Sequence, residues 1–291
     1  MPVLAGARTL RGELHAATAT LAAAGIATPR VDAEWLLAAV LGEGRFAAQL
    51  DLARLLARPL AAGYRAAVQR RARREPLQRI LGREAFRGLS VRLTGDVLVP
   101  RPETERLVEW ALELLPPARA GRRSLAVDLG TGSGCIACAL ASERPDLDVL
   151  AVDVSHAAAA VARGNVVALD LAHRVCVVAG SLLDAVAAGR ADLVVSNPPY
   201  LPSALVPTLE PEVWRWEPRI ALDGGPDGLA VMRALVAGAR RGLRSGGALV
   251  LETAGGAQAE VVRGLLGAAE FADVAVRADL AGVDRFVAGR A

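Results

Sequence analysis

The sequence predicts an α/β protein in which a small helical domain and a connecting β-hairpin precede a doubly wound, mostly parallel sheet of seven strands. Residues 1–75 carry Leu and Ala at helical spacing, with glycines between the apolar stretches. From Leu77 the period changes, and residues 85–99 alternate loosely, which is typical of a hairpin. From Leu125 onward, short apolar runs alternate with helical stretches, and this order favours a parallel sheet with helices on both faces.

The composition is that of a globular protein. Hydrophobic residues make up 53% of the 291 residues and charged residues 22%, which excludes a disordered chain. No apolar run of about 18 residues is free of charges or turn formers, so no transmembrane helix is predicted. Near the N-terminus, Glu13 and His15 interrupt any secretory signal. We therefore expect a cytoplasmic protein.

Charge and cysteine content restrict the function only loosely. The net charge is +3 and all 34 basic residues are Arg, which permits nucleic-acid contact without requiring it. The basic run 70–74 is either a solvated helix face or a patch for a ribosome or an acidic partner. Cys135 and Cys138 lie in an apolar run and Cys176 is alone, so we expect packing roles and no disulfide or metal site.

Three domains or linkers are expected along the chain. Helices at residues 16–24, 31–41 and 60–74 predict a helical domain over 1–75 that binds a partner or caps the site. Residues 76–100 are expected to form the β-hairpin linker, and residues 101–291 the α/β domain. The strands of that domain are predicted at 125–129, 149–153, 175–179, 191–196, 248–252, 274–277 and 285–288.

A glycine-rich turn and an acidic residue predict a nucleoside site. Gly130-Thr131-Gly132-Ser133-Gly134 follows the first strand, so the backbone can turn sharply and approach a ligand. Asp153 ends the second strand, where a carboxylate can accept hydrogen bonds from both hydroxyls of a ribose. The dinucleotide fingerprint requires glycine at its sixth position, where this chain has Cys135. That departure favours a cofactor without a pyrophosphate, and S-adenosylmethionine is the leading candidate.

The fourth strand ends in Asn197-Pro198-Pro199-Tyr200. A residue before proline is restricted to extended conformations, and two prolines make a stiff turn with free carbonyls. The Asn197 side-chain oxygen and the Pro198 carbonyl would therefore form a rigid pair of acceptors beside the flat face of Tyr200. Such a pair suits a planar NH2 group. The alternative is a proline-rich loop with no function.

These motifs resemble class I S-adenosylmethionine-dependent methyltransferases that act on amide or exocyclic nitrogens. Four further stretches are similar to the release factor glutamine methyltransferase family: Asp32-Ala33-Glu34, Glu75-Pro76-Leu77-Gln78, Val99-Pro100-Arg101-Pro102-Glu103-Thr104-Glu105 and Gly282-Val283-Asp284-Arg285. The similarity covers nearly the whole chain, and the Pro-Arg-Pro-Glu-Thr-Glu segment is its most specific part.

The resemblance implies an activity and a set of site residues. The family methylates the glutamine side-chain amide of the Gly-Gly-Gln tripeptide in bacterial class I peptide release factors. It implies a seven-stranded methyltransferase sheet, S-adenosylmethionine as methyl donor, and a release factor as protein partner, with no membrane or direct nucleic-acid partner. The catalytic residues would be Asn197, Pro198, Pro199 and Tyr200. The cofactor-binding residues would be Gly130, Thr131, Gly132, Ser133, Gly134, Asp153, Leu182 and Asn197. After the third strand this chain has Gly180-Ser181-Leu182, where many relatives carry an acidic residue that can meet the adenine amino group.

Three other functions remain open from the sequence. A nucleic-acid adenine or guanine amino methyltransferase could grip an exocyclic NH2 with the same turn after base flipping, although aromatic residues make up only 3% of the chain. A non-catalytic protein that binds an adenosyl cofactor is the second alternative, and a Rossmann dehydrogenase is the third. His15, His156 and His173 are scattered and are expected to be surface or helix residues.

Overall fold

The computed structural model describes residues 9–45, 51–115, 122–181, 184 and 186–291. The chain divides into two compact units. The first comprises Met1–Gly82 and Glu210–Trp216, and the second comprises Arg83–Leu209 and Glu217–Ala291. Every helix within the described ranges is too short or too polar to span a membrane.

The first unit is helical. It contains α1 (Leu10–Ala23), α2 (Pro29–Leu41), α3 (Arg58–Ala72) and α4 (Leu77–Leu81), together with a single helical turn at Pro211–Trp214. The ends of these helices follow from local chemistry: the Thr9 hydroxyl caps α1 by accepting from the Gly12 N–H at 3.2 Å, and Gly42 ends α2 with a left-handed φ of 68°. The core of the unit is a cluster of Leu, Ala, Val, Ile and Tyr side chains from α1, α2, α3 and the segments next to them.

Ion pairs fix the segment Glu210–Trp216 within the first unit. The Arg71 guanidinium donates to Asp32 Oδ2 at 2.7 Å and to Glu212 Oε1 at 2.9 Å. Arg74 also pairs with Glu212, at 2.7 Å, and Arg79 lies 5.7 Å from the Trp216 ring centroid. Both Arg71 and Asp32 are buried. A segment that follows the predicted substrate turn in sequence thus completes the helical unit.

The second unit is built on a seven-stranded sheet with the order β5-β4-β3-β6-β7-β9-β8. Its strands are β3 (Ser124–Leu129), β4 (Leu147–Asp153), β5 (Val175–Ala179), β6 (Ala191–Ser196), β7 (Leu243–Glu252), β8 (Ala272–Ala278) and β9 (Asp284–Arg290). The strands β3 to β7 pair in parallel, and β9 pairs antiparallel with both β7 and β8. The predicted α/β class and mostly parallel seven-stranded sheet are confirmed.

Helices cover both faces of this sheet. Successive strand residues point to opposite faces, so Ala126 joins the core under α5 (Thr104–Leu114), α6 (Cys135–Glu143) and α7 (His156–Ala168), whereas Val127 joins the opposite core. That second core packs against α8 (Ala230–Gly242) and α9 (Ala257–Ala268). Residues on both faces of the central strands are apolar, which explains why these strands appear in the sequence as unbroken apolar runs.

The hairpin is packed into the second unit. It consists of β1 (Arg83–Phe86) and β2 (Leu89–Arg92), and Phe86 and Val91 are buried in the same core as α5. The Asn165 side chain on α7 accepts from the Arg92 N–H at 2.9 Å and donates to the Arg92 carbonyl at 3.0 Å. These contacts are the physical reason why the hairpin groups with the α/β unit.

Five strands extend beyond their predicted ranges, and β7 does so by the largest margin. The sequence predicts a strand at 248–252, but β7 begins at Leu243, directly after α8. Its first half contains Ser245, Gly246 and Gly247, which carry no apolar signal, and its pairing register with β6 shifts between Ala191 and Leu193. Backbone pairing extended this strand where side-chain periodicity gave no indication.

Candidate active site

The predicted functional residues follow parallel strands at the same edge of the sheet. The chain runs outward from β3 through β4 to β5 and then returns to the other side of β3 with β6. The strand order therefore reverses between β3 and β6, and ligands of open α/β sheets bind at such a point, beyond the carboxyl ends of the strands. Gly130, Asp153 and Asn197 are the residues at or just past the ends of β3, β4 and β6.

A cavity of about 480 Å³ lies at this edge, wholly within the second unit. Its lining comes from the segment before α5, the ends of β3, β4 and β6 with the turns that follow them, the turn after β5, the start of α7, and α8 with the segment that leads into it. Asp153, Asn197, Pro198 and Pro199 all contribute to its walls. A volume of this size is ordinary for a small-molecule site.

The glycine-rich turn adopts a conformation that requires glycine. Gly130, Gly132 and Gly134 have φ angles of 70°, 54° and 79°. A Cβ atom on Gly134 would lie 3.1 Å from the Ala162 Cβ, so this glycine also permits α6 and α7 to pack closely. Gly130 and Gly132 line the cavity and present their backbone to it.

The turn is held from beneath by Asp128. Its Oδ2 accepts from the Thr131 hydroxyl at 2.5 Å and from the Ala137 N–H at 3.1 Å. Asp128 is fully buried, and its Oδ1 receives no hydrogen bond from any described residue. Burial is the largest cause that raises the pKa of Asp128 to about 7, against the lowering effect of the Thr131 hydrogen bond.

Asp153 joins the turn to the next strand end. Its Oδ2 accepts from the Gly132 N–H at 2.8 Å and its Oδ1 from the Ser155 N–H at 2.8 Å. These bonds fix the carboxylate at the cavity wall. Each carboxylate oxygen has a further lone pair, so Asp153 can accept additional hydrogen bonds from a ligand.

The Asn197 carboxamide is held by a second polar side chain. Its Nδ2 donates to Thr104 Oγ1 at 3.1 Å, and the Thr104 hydroxyl donates to Glu252 Oε2 at 2.8 Å. No donor among the described residues bonds the Asn197 Oδ1. This oxygen is therefore available as an acceptor at the cavity wall.

Burial controls the ionisation of the groups around this turn. It raises the pKa of Glu252 to about 7, although the Thr104 hydrogen bond and the charge of Arg285 act in the opposite direction. Burial also raises the pKa of Tyr200 to about 12, with a further contribution from the negative charge of Glu252. Tyr200 consequently keeps its hydroxyl proton at neutral pH.

A glycine loop supports the back of the turn. The Gly224 N–H donates to the Leu201 carbonyl at 2.8 Å, and the Tyr200 carbonyl accepts from Gln258 Nε2 at 2.9 Å. A Cβ atom on Gly228, whose φ is 76°, would lie 2.3 Å from the Tyr200 carbonyl oxygen. Only glycine fits at this position.

The structure brings some of the sequence-predicted residues to the cavity and places others behind it. Gly130, Gly132, Asp153, Asn197, Pro198 and Pro199 line the cavity. Thr131, Ser133, Gly134 and Tyr200 are not part of its lining; they shape or support the two turns. Leu182 lies outside the described residues.

Sequence reasoning missed several contributors. Thr104 accepts a hydrogen bond from the Asn197 side chain, and Glu252 accepts one from Thr104. Gly228 packs against the Tyr200 carbonyl, and Ile220 lines the cavity. An acidic residue at the end of a predicted strand was the available signal for Glu252, as it was for Asp153. No local pattern indicates Ile220, because it lies in a three-residue 3-10 turn, Arg219–Ala221, that is too short to show a hydrophobic period.

The cavity has features that fit an adenosyl group. Val154 and Ile220 both line it, and each is 58% exposed, which is high for large apolar side chains. They offer apolar surface for a planar base. The Asp153 carboxylate offers acceptors for ribose hydroxyls, and Gly130 and Gly132 allow a close backbone approach. Within the described part of the chain, no cluster of three or more His, Cys, Asp or Glu side chains could hold a metal ion.

Comparisons with known proteins give consistent results. A family model described as the PrmC N-terminal domain matches residues 14–82, and one described as the methyltransferase small domain matches residues 110–206. A release factor glutamine methyltransferase of Geobacter sulfurreducens is 43% identical over 282 residues, covering 97% of this chain and 96% of the relative. One of Mycolicibacterium smegmatis is also 43% identical, covering 96% of each chain.

A comparison of folds gives a more distant match. The solved structure of the hMettl16 catalytic domain in complex with a MAT2A 3′UTR hairpin aligns with a TM-score of 0.57 and 17% sequence identity. The alignment covers 82% of this chain and 83% of that chain. At this identity the likeness shows a shared fold and nothing about the acceptor.

Proposed function

Because this chain belongs to the release factor glutamine methyltransferase family, we propose that it methylates the glutamine side-chain amide of the Gly-Gly-Gln tripeptide in bacterial class I peptide release factors. S-adenosylmethionine is the proposed methyl donor. The observation that supports this most directly is the Asn197 carboxamide, which lines the same cavity as Gly130 and Asp153 and whose Oδ1 is available as an acceptor.

The proposed donor would be held by the residues at the ends of β3 and β4. Asp153 would accept from the ribose hydroxyls, Gly130 and Gly132 would allow close backbone contact, and Val154 and Ile220 would cover the adenine. The role of Leu182 beside the adenine stays a prediction. When bound, S-adenosylmethionine supplies an electrophilic methyl group.

The acceptor amide requires precise orientation, because its nitrogen lone pair is delocalised into the carbonyl group. Asn197 Oδ1 and the Pro198 carbonyl would each accept one amide hydrogen and so fix the position of the nitrogen. Their partial negative charge would stabilise the positive charge that develops on this nitrogen. Pro199 would keep the turn stiff and Tyr200 would pack against the amide plane. The methylated nitrogen is strongly acidic and can lose its proton without a base on the enzyme.

The remaining parts of the chain are assigned by the same proposal. The helical residues 1–75 would bind the release factor, and residues 76–100 would link them to the α/β domain. Residues 101–291 would form that domain and catalyse the methyl transfer. On α2, Val31 and Trp35 are four positions apart on one helix face, and they are 36% and 42% exposed. This apolar surface supports a partner-binding role. Release factors work on ribosomes, so we propose that the reaction occurs in the cytoplasm.

A methyl-transfer assay with radiolabelled S-adenosylmethionine tests the proposal. A bacterial class I release factor is compared with its variant in which the Gly-Gly-Gln glutamine is replaced by alanine. Label on the wild-type factor alone is the expected result. Equal label on both factors would contradict the proposed acceptor. Label on RNA or DNA instead would indicate a nucleic-acid amino methyltransferase.

A further inference from the structure

Thr104 and Glu252 form a buried relay behind the Asn197 carboxamide. Asn197 Nδ2 donates to Thr104 Oγ1 at 3.1 Å, and Thr104 Oγ1 lies 2.8 Å from Glu252 Oε2. Thr104 is 2% exposed and Glu252 is 1% exposed, so neither can exchange its partner for water without local rearrangement. Neither residue lines the cavity.

The topology explains how these three side chains meet. The strands β6 and β7 pair in parallel with Ser196 opposite Leu251, so the next residues, Asn197 and Glu252, end neighbouring strands at the same edge. Thr104 opens α5, which packs on the sheet. The first residue of a helix thus reaches the ends of two strands.

A count of protons shows what the relay does. A threonine hydroxyl has one proton to donate and lone pairs to accept, whereas a carboxylate only accepts. The Thr104 proton is therefore committed to Glu252, and Thr104 Oγ1 can only accept from Asn197. A flipped carboxamide would place Oδ1 against Thr104 Oγ1 with no proton between the two oxygens. The relay consequently selects the orientation in which Nδ2 faces Thr104 and Oδ1 faces away.

We propose that Thr104 and Glu252 are positioning residues that fix the Asn197 carboxamide with Oδ1 directed away from Thr104, ready to accept a hydrogen from the substrate amide. This inference rests on the proposed function, since it assigns Oδ1 to the acceptor amide. In this role Thr104 and Glu252 act through Asn197, since neither of them lines the cavity.

The relay depends on the charge of Glu252. Burial raises the pKa of Glu252 to about 7, and the charged or titratable groups that face it are Arg101, Glu103, Tyr200 and Arg285. A protonated Glu252 can donate to Thr104, which frees the Thr104 proton for Asn197 Oδ1. Both carboxamide orientations then become possible. The preference for the productive orientation is present above pH 7 and weakens as the pH falls through 7.

The kinetic test compares Thr104→Val, which removes the hydroxyl at constant shape, with Thr104→Ser, which keeps it. Thr104→Val is expected to lower kcat by roughly 10-fold or more, the usual effect of a buried polar group losing its partner. KM for S-adenosylmethionine should change little, and Thr104→Ser should restore most of the rate. Thr253→Val is the matched control, because the buried Thr253 hydroxyl donates to the Arg285 carbonyl and does not contact Asn197.

A second readout needs no reaction. The carboxamide ¹H–¹⁵N signals of Asn197, assigned by their loss in Asn197→Ala, are followed from pH 5.5 to pH 8.5 in the free protein. They are expected to shift with a midpoint near pH 7 in the wild type and to show no such midpoint in Glu252→Gln. The acid limb of the kcat–pH profile should disappear in the same variant.

The outcomes separate this inference from the proposed function. A wild-type enzyme that does not label a release factor contradicts the proposed function, whatever the carboxamide signals do. If the wild type labels the factor but Thr104→Val is as active as Thr104→Ser, the positioning role is wrong. An Asn197 midpoint that persists in Glu252→Gln, and still persists when Asp128 is also replaced by Asn, would overturn it as well.

Discussion

Asn197 is the residue in which two separate requirements meet, since its Nδ2 group is bonded to Thr104 while its Oδ1 stays available at the cavity wall. Asn197→Ala removes the acceptor and leaves the cofactor end of the cavity intact. We expect kcat to fall by about 10²–10³-fold, the usual effect of removing one group that stabilises a transition state. Equilibrium dialysis should show that the affinity for S-adenosylmethionine falls much less than kcat does. Comparable rates for mutant and wild type would remove Asn197 from the mechanism.

Substitution of Asp153 is expected to lower the affinity for S-adenosylmethionine, whereas substitution of Asn197 mainly lowers kcat. Its carboxylate is fixed by the Gly132 and Ser155 N–H groups, which leaves acceptors for a ribose. Asp153→Ala should weaken S-adenosylmethionine binding by roughly 10- to 100-fold, since hydrogen bonds to charged groups contribute about 1.5–3 kcal/mol. Calorimetric titration measures this change, with Asp148→Ala as the control because Asp148 pairs with Arg123 in an exposed position. An unchanged dissociation constant would place the ribose elsewhere.

Among the site residues, the sequence predicts those whose role follows from their position at the end of a strand. Asp153 and Asn197 each end a recognisable strand, and both were predicted from that position. Thr104 and Glu252 bond each other across 148 positions, so no local pattern shows that they are partners. They come into contact because α5 packs on the sheet, and this packing cannot be predicted from a single sequence.

Among the structural elements, the loop that contains Gly228 has the closest contact that an added Cβ atom would make at any described glycine. Gly228→Ala would place a Cβ atom 2.3 Å from the Tyr200 carbonyl oxygen at a φ of 76°. We expect a loss of about 1–3 kcal/mol of stability, typical of backbone strain, together with loss of methyl transfer as Tyr200 is displaced. Gly264→Ala in α9 is the matched control, because nothing lies within 4 Å of its added Cβ. Equal melting temperatures for the two variants would contradict the steric argument.

The segment Glu210–Trp216 is held by a buried cation. Arg71→Ala would leave Asp32 buried without its ionic partner and Glu212 without one of its two arginines. The expected cost is about 3–5 kcal/mol in urea unfolding, as found when one partner of a buried ion pair is removed. Arg263→Ala removes an exposed pair with Glu260 and should change stability by less than about 0.5 kcal/mol. Similar effects of the two substitutions would mean that the Arg71 pairs are dispensable.

The elements that the sequence predicted well are those with an apolar period. The strands at 175–179 and 191–196 occur with the predicted bounds. Every residue of β6 is buried, whereas β5 lies at the edge of the sheet and its bounds follow its short apolar run. The early start of β7 and the place of Glu210–Trp216 in the helical unit were not predicted. Backbone pairing through glycines and ion pairs between distant residues leave no hydrophobic period to detect.

For the molecule as a whole, the raised pKa of Asp128 makes a defined contribution to the pH dependence of stability. Burial raises this pKa from 3.8 to about 7, so between about pH 4 and pH 7 the folded state holds a proton that the unfolded state has released. The contribution of Asp128 to stability therefore falls as the pH rises through this window. Each pKa unit corresponds to about 1.4 kcal/mol, and the total effect is a few kcal/mol.

Asp128→Asn tests this dependence, because it removes the titrating group and keeps an oxygen for Thr131. The stability of the variant relative to wild type should improve between pH 5 and pH 8 in urea unfolding. The buried Glu252 titrates in both proteins and cancels from the comparison. A stability difference that is independent of pH would show that Asp128 does not titrate in this range.

The position of Glu210–Trp216 in the first unit also has a consequence for the order of synthesis. The helical unit leaves the ribosome first, yet the residues that complete it come only after most of the sheet has been made. At about 5–20 residues per second, this delay is on the order of ten seconds. During that interval Arg71 can form its ion pair with Asp32 but not the one with Glu212. The helical unit is therefore synthesised first, but it cannot complete its folded structure until residues 210–216 have been made.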